Sequence, residues 1–189
     1  MNNLTFDKID ADISYLMDGV STHNNHVPSP FTLLKLSMVV PFASVFFTLI
    51  SMLTIYVFYK GDDATFSGYF SYLLSDGWVV LVPTIVIGMF FSFMAYNNLI
   101  MYMSVPKGLR EKSIILKHLR IVVYRTAKIF MLLMLAAALV SGFYSRLAFA
   151  IPLLEVMTFF GVNIVVSAEI NRLGAGIALE KISKLISKI

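Results

Sequence analysis

The sequence has few charged side chains and no cysteine. Charged residues make up 14% of the chain, whereas a soluble domain carries roughly a quarter. Hydrophobic residues make up 58% of the 189 residues. This composition argues against a soluble globular protein. If most of the chain forms a membrane bundle, no room is left for a separate globular domain. The absence of cysteine excludes disulfide bonds and thiol metal ligands, although it identifies no compartment.

Four long apolar runs occupy most of the chain, at about 36–59, 78–102, 123–144 and 147–168. A helix rises 1.5 Å per residue, so about 20 apolar residues cross the roughly 30 Å hydrocarbon layer. The sequence therefore predicts an all-α integral membrane protein with a four-transmembrane-helix bundle over 31–172. A cytoplasmic helix and linker (1–30) is expected before the bundle, and an amphipathic helix (173–189) after it.

The basic residues are distributed unevenly along the chain. Of the 15 lysines and arginines, only Lys60 and Arg146 lie in the first and third connections between spans. Basic residues concentrate on the cytoplasmic side of membrane proteins. We therefore expect both termini and the central connection in the cytoplasm, with 61–76 facing outward. A multi-pass membrane protein fits this pattern, and a nucleic-acid partner does not.

Three segments outside the spans have amphipathic patterns. Phe6, Ile9, Ile13, Leu16 and Val20 predict an apolar stripe on an N-terminal helix. Its acids, Asp7, Asp10, Asp12 and Asp18, are expected on the opposite face. The helix either lies against the cytoplasmic connections of the bundle or docks a partner. A basic helix over 109–120 is expected to run into span three, and the C-terminal helix to lie at the lipid interface.

Glu155 is the costliest residue in the predicted spans. It lies eight residues after Leu147, about 12 Å into the span. An ionised carboxylate there costs a few kcal/mol or more unless it is paired or protonated. Hydroxyls expected at matching depth belong to Thr48, Ser51, Thr84 and Ser141. Glu155 is then a structurally satisfied buried polar site, a partner contact, or a relay for protons or cations.

The expected outward segment 61–76 is rich in aromatic residues. Phe66, Tyr69, Phe70 and Tyr72 all fall within it. Aromatic side chains supply large contact areas at binding surfaces. They also mark the boundary between water and bilayer. The sequence supports both interpretations, and these four residues are the candidate partner-binding site.

No pattern in the sequence indicates catalysis. His23, His26 and His118 are not accompanied by a cluster of acids with metal-ligand spacing. There is also no nucleophile elbow and no phosphate-binding glycine loop. We therefore expect a protein that is not an enzyme, with no catalytic residues, no metal and no cofactor. Ala138 and Gly142 offer a small-residue face for close helix packing, which permits a homo-oligomer without requiring one.

The architecture and two segments resemble the TraS-type entry-exclusion proteins of F-like conjugative plasmids. Besides the acidic N-terminal segment and four spans, the resemblance rests on VPKGLREKSII at 105–115 and AEINRL at 168–173, continuing into ALE at 178–180. It implies a non-catalytic inner-membrane protein that blocks redundant plasmid transfer by recognising the cognate TraG protein of the donor. The alternatives are a small transporter or channel component using Glu155, and a membrane scaffold or immunity protein.

Overall fold

The structure, a computed structural model, describes residues 6–22, 28–176 and 180. Within these ranges the chain is helical apart from short turns and contains no strand. The α-helices are α1 (Phe6–Thr22), α2 (Pro30–Ser37), α3 (Val39–Lys60), α4 (Phe66–Tyr72), α5 (Trp78–Ser104), α6 (Lys107–Lys112), α7 (Ile114–Val140) and α8 (Ala150–Arg172). Short 3-10 turns cover Gly61–Asp63 and Ser145–Phe149, and a π-helical turn covers Leu73–Gly77.

Four helical segments are long and apolar enough to cross a membrane. They are Pro30–Lys60, Phe66–Ser104, Ile114–Val140 and Ser145–Arg172. The predicted all-helical architecture with four such segments is confirmed, and it indicates a multi-pass membrane protein. Helix α7 ends at Val140, four residues before the predicted end of the third span at residue 144. Helix α8 ends at Arg172, four residues after the predicted end of the fourth span at residue 168.

The four long helices α3, α5, α7 and α8 pack as a bundle. Helices α3 and α8 contact each other, and each of them also contacts both α5 and α7. Short connections make successive helices antiparallel. Thr48 of α3 consequently lies opposite Thr84 of α5, with 3.3 Å between their hydroxyl oxygens. This register brings the small residues of the two helices together inside the bundle.

The first membrane segment is interrupted at Met38, between α2 and α3. Pro41 has no N–H group, so the carbonyl of Ser37 lacks its usual helical donor. The chain resumes helical bonding when Phe42 N–H donates to the Met38 carbonyl at 2.9 Å. The break therefore has a local covalent cause.

The prediction of one basic helix running into span three is wrong at Ser113. Helix α6 ends at Lys112, and Ser113 has an extended backbone with φ −62° and ψ 127°. Its hydroxyl accepts the N–H of Leu116 at 3.1 Å, which makes Ser113 the N-cap of α7. A new helix thus begins there instead of the old one continuing.

Helix α1 packs against the chain near this cap, and we call this region the α1 end of the bundle. Leu16 and Val20 are buried with Val105, Leu109 and Leu116. Ile9 is buried in a second cluster with Ile115, Leu173 and Ala175. The prediction that the helix lies against connections of the bundle agrees with this packing.

Asp12 departs from its expected position on the polar face of α1. Its side chain is only 6% exposed. One carboxylate oxygen accepts the Ser113 hydroxyl at 2.8 Å and the Ile115 N–H at 2.9 Å. A carboxylate at a helix N-terminus is favoured by the unpaired N–H groups and by the helix dipole. These bonds draw Asp12 inward, so its placement on the exposed face was wrong.

The opposite end of the bundle contains α4, and we call it the α4 end. Gly77 lies against Met52 of α3. If α4 continued α5 as one straight helix, Tyr69 would lie about 12 Å beyond Gly77 along the helix axis, away from the centre of the bundle. Instead the Tyr69 hydroxyl donates to the Leu49 carbonyl at 3.1 Å. The segment expected as a loop is therefore mostly helical, and the wide turn Leu73–Gly77 bends α4 toward α3.

Helix α8 ends in a left-handed glycine. Gly174 has φ 64°, a conformation that glycine adopts without steric cost. The N–H of Ala175 returns to the Ile170 carbonyl at 3.2 Å, as in a Schellman cap. Residues 177–179 and 181–189, and with them most of the predicted interfacial helix, lie outside the described residues.

Candidate functional site

Large apolar side chains are exposed at the α4 end. Phe66 is 80% exposed and Phe70 is 51% exposed, and their rings pack edge to face with centroids 5.1 Å apart. Leu74 and Trp78 continue the exposed apolar surface at the same spacing of four residues. We call these four residues the α4 surface. Two of the four aromatic residues proposed from the sequence belong to it.

The other two proposed aromatics, Tyr69 and Tyr72, turn toward the bundle and are half-buried. The ring of Tyr56 lies 6.0 Å from that of Tyr69 and 5.7 Å from that of Tyr72. The Tyr56 hydroxyl also accepts the N–H of Thr65 at 3.2 Å. These tyrosines hold α4 against α3, so the four aromatics do not form one common surface.

A shallow cleft of about 250 Å³ lies beside the α4 surface, between α3, the Leu73–Gly77 turn and the Ser145–Phe149 turn. Asp76 and Arg146 are among its lining residues and do not form an ion pair with each other. Asp76 instead accepts the Ser75 hydroxyl at 2.8 Å. The α4 end therefore presents one acidic and one basic group next to exposed aromatics.

Buried hydroxyl side chains lie beside apolar clusters in the interior of the bundle, and we call them the hydroxyl row. Its buried members are Ser37, Ser44, Thr48, Ser51, Thr84, Ser92 and Ser141. The Ser92 hydroxyl donates to Ser37 at 3.1 Å, and the Ser51 hydroxyl donates to Ser141 at 2.8 Å. Such bonds join membrane helices at modest gain, about 0.6 kcal/mol each. The row extends from near the α1 end to the α4 end.

Glu155 lies within this row on α8. It is 2% exposed, and neither of its carboxyl oxygens has a hydrogen-bond partner of good geometry. Helix α5 approaches it through Gly88, where an added Cβ would stand 2.8 Å from Glu155 Oε1. The same Cβ would stand 3.0 Å from Pro41 Cβ. The carboxyl is thus enclosed by α3 and α5 without an evident partner.

The hydroxyls expected to satisfy Glu155 bond elsewhere. Thr48 faces Thr84, and Ser51 bonds Ser141. The hydroxyl beside the carboxyl is that of Ser44, which sequence reasoning did not select. A signal for it was present, because Ser44, Thr48 and Ser51 recur at spacings of four and three, as do the small residues Thr84, Gly88 and Ser92 at four.

Polar side chains near the α1 end of α8 form a small network. Arg172 Nη2 lies 2.7 Å from Glu169 Oε2, and His118 Nε2 lies 3.4 Å from the same oxygen. Within residues 6–22, 28–176 and 180, no group of three or more His, Asp or Glu side chains is arranged to hold a metal ion. His23 and His26 lie outside the described residues.

Ala138 and Gly142, the predicted small-residue face, lie against α3. Ala138 is fully buried, and its carbonyl accepts the Thr54 hydroxyl at 2.9 Å. An added Cβ at Gly142 would stand 2.7 Å from the Phe58 ring. This face therefore packs within the chain.

Comparison with protein-family models, curated proteins and solved structures finds no match. The α4 surface and the Glu155 site are the two features of the described residues from which a function can be inferred. One is an exposed apolar surface at the end of the bundle, and the other is a buried acid at its centre.

Proposed function

We propose that this chain is a non-catalytic entry-exclusion protein of the bacterial inner membrane. It blocks redundant conjugative transfer by recognising the cognate TraG protein of the donor, as its resemblance to the TraS type implies. The α4 surface is the observation that carries this proposal, because it offers an exposed, rigidly held recognition site at one end of a membrane bundle.

The proposed orientation has both termini in the cytoplasm and the α4 end outside. It is supported by the 15 basic residues, of which only Lys60 and Arg146 lie in connections at the α4 end. The C-terminal helix would then lie on the cytoplasmic face of the lipid bilayer. A donor protein approaching from outside would meet the α4 surface and the neighbouring cleft first.

The packing of α4 supports recognition at this surface. Exposed Phe66 and Phe70 are large and have few rotamers to restrict, which favours binding energy. Tyr69 and Tyr72 fix α4 on α3, so its order does not have to be acquired on binding. Asp76 and Arg146 add charges that can discriminate between partner types.

The α1 end offers less for a scaffold or docking role. Ile9, Leu16 and Val20, which a docking helix would present to a partner, are buried against the chain itself. What α1 leaves exposed is mainly polar, including Asp7 and Asp10, with Tyr15 as its one exposed large aromatic among the described side chains. This contrast favours the α4 end as the site of recognition.

A mating assay tests the proposal. Recipients expressing this chain are mated with donors carrying matched and mismatched plasmids, and transfer frequency is counted. We expect transfer from matched donors alone to fall at least tenfold. The double substitution Phe66→Ser and Phe70→Ser should restore transfer while the protein still accumulates in the membrane.

The matched control is Phe42→Ser with Phe93→Ser, since both phenylalanines are exposed on the spans away from the α4 end. This control should exclude donors as the unaltered chain does. If no donor is excluded by the unaltered chain, the proposed function is wrong. If exclusion survives the loss of Phe66 and Phe70, the α4 surface is not the recognition site.

The second candidate is a transporter or channel component, and buried, unpartnered Glu155 is the observation that favours it. It requires that purified protein in vesicles supports a flux of protons or ions that Glu155→Gln abolishes. Absence of any flux from the unaltered protein would remove this candidate.

A further inference from the structure

The Glu155 carboxyl lacks the partners that a buried negative charge requires. Its two oxygens are unbonded, and no lysine, arginine or histidine of the described residues forms an ion pair with it. An isolated carboxylate in such surroundings is strongly unfavourable. One positive charge is therefore needed beside it, and a single monovalent cation suffices.

The space around the carboxyl selects the smallest monovalent cation. Gly88 packs tightly against both Glu155 and Pro41. A Cβ added to Gly88 would stand 2.8 Å from Glu155 Oε1 and 3.0 Å from Pro41 Cβ. A metal cation needs several oxygen ligands around it. A proton needs no added volume and no ligand shell.

Ser44 supplies an acceptor for that proton. Its hydroxyl lies beside the carboxyl and donates its own hydrogen to the Val40 carbonyl at 3.0 Å. The hydroxyl oxygen keeps lone pairs with which it can accept a bond. We propose that Glu155 is a proton-binding site that takes one proton from solvent and, as a neutral acid, donates it in a hydrogen bond to Ser44 Oγ.

Among the described residues, no titratable group other than Glu155 is found in contact with this site. The residues that the structure places around it are Pro41 and Ser44 of α3 and Gly88 of α5. Buried Thr48 and Thr84 lie one turn away on the same helices, and Met134 of α7 contacts Ser44. Tyr56 is the nearest buried titratable residue along α3, twelve residues after Ser44 and about 18 Å away. Of the groups that the structure describes, the proton on Glu155 therefore depends on the burial of the carboxyl and on Ser44.

Infrared spectroscopy of the full chain in lipid nanodiscs tests this site. Glutamate labelled with ¹³C separates its carboxylic-acid carbonyl band from that of aspartate. At neutral pH we expect one labelled carboxylic-acid band, because Glu111, Glu169 and Glu180 are all accessible to solvent. Glu155→Gln should remove the band, and Ser44→Ala should shift it to higher frequency. Glu111→Gln is the matched control and should leave it unchanged.

The unaltered chain decides the outcome even if a variant fails to fold. Absence of a protonated glutamate band at neutral pH would overturn the proposal. A band that appears only when choline replaces sodium in the buffer would also overturn it, since sodium would then be the bound cation. Neither result depends on whether the chain excludes donors in mating assays.

Discussion

The two ends of the bundle differ in how far their apolar side chains are buried. At the α1 end, Ile9, Leu16 and Val20 of α1 are buried, and Ile115 and Leu16 are almost wholly removed from solvent. At the α4 end, Phe66 and Leu74 remain among the most exposed side chains of the described residues. Apolar residues of the α1 end thus pack within the chain, whereas those of the α4 end remain available to contact another molecule or lipid.

Hydrogen bonding follows the same division. Asp12 joins α1 to the start of α7 through two short bonds to groups far away in the chain. Helix α4 and its N-cap are held by the bonds from the Tyr69 hydroxyl to Leu49 and from the Thr65 N–H to the Tyr56 hydroxyl, and by ring contacts. The α1 end is therefore expected to contribute more to stability, and the α4 end more to recognition.

Substituting Asp12 by alanine should give the largest change in stability. Loss of the carboxylate leaves the Ser113 hydroxyl and the Ile115 N–H buried without their acceptor. Each unmade bond to a charged group costs about 1.5–3 kcal/mol, so we expect a loss of about 3 kcal/mol in the free energy of unfolding. Thermal unfolding in detergent micelles measures it.

Asp10→Ala is the control, since Asp10 is exposed on the same helix. It should change the free energy of unfolding by less than about 0.5 kcal/mol. Equal stability of the two variants would mean that Asp12 does not fasten α1, and the contrast between the two ends would fail.

Tyr69→Phe should have a smaller effect, confined to the α4 end. It removes one neutral hydrogen bond, to the Leu49 carbonyl, and keeps the ring that packs on Tyr56. The expected loss is about 1 kcal/mol. Hydrogen exchange should accelerate in α4 and leave α1 unchanged.

Tyr59→Phe is the matched control, because Tyr59 is largely exposed. It should leave exchange in α4 as it is. Faster exchange throughout the bundle in Tyr69→Phe would show that α4 is part of the general core, contrary to the comparison of the two ends.

Composition and periodicity were sufficient to predict the spans and the buried stripe of α1. A long apolar run can be recognised without knowing which residues pack against it, and Leu16 and Val20 repeat at helical spacing. The break at Ser113 was missed because a basic helix pattern continues across it, and the Asp12 carboxylate that caps α7 comes from a distant part of the chain.

The candidate sites depend on the register between helices, which the sequence does not contain. Depth along the spans selected Thr48 and Ser51 as partners of Glu155, but the packing puts Ser44 and Gly88 beside it. Likewise, Tyr69 and Phe66 appear equivalent in sequence, and only the packing of α4 on α3 turns Tyr69 inward and leaves Phe66 exposed.

The most direct test of recognition at the α4 end is which side of the membrane that end faces. Because the chain has no cysteine, single substitutions Ser67→Cys on α4 and Asp10→Cys on α1, both at exposed positions, can be labelled without background. A maleimide that cannot cross the inner membrane is added to cells with permeabilised outer membranes. We expect Ser67→Cys to react at once and Asp10→Cys to react only after lysis. The reverse pattern would place the α4 surface in the cytoplasm, beyond reach of a donor protein, and would contradict the proposed function.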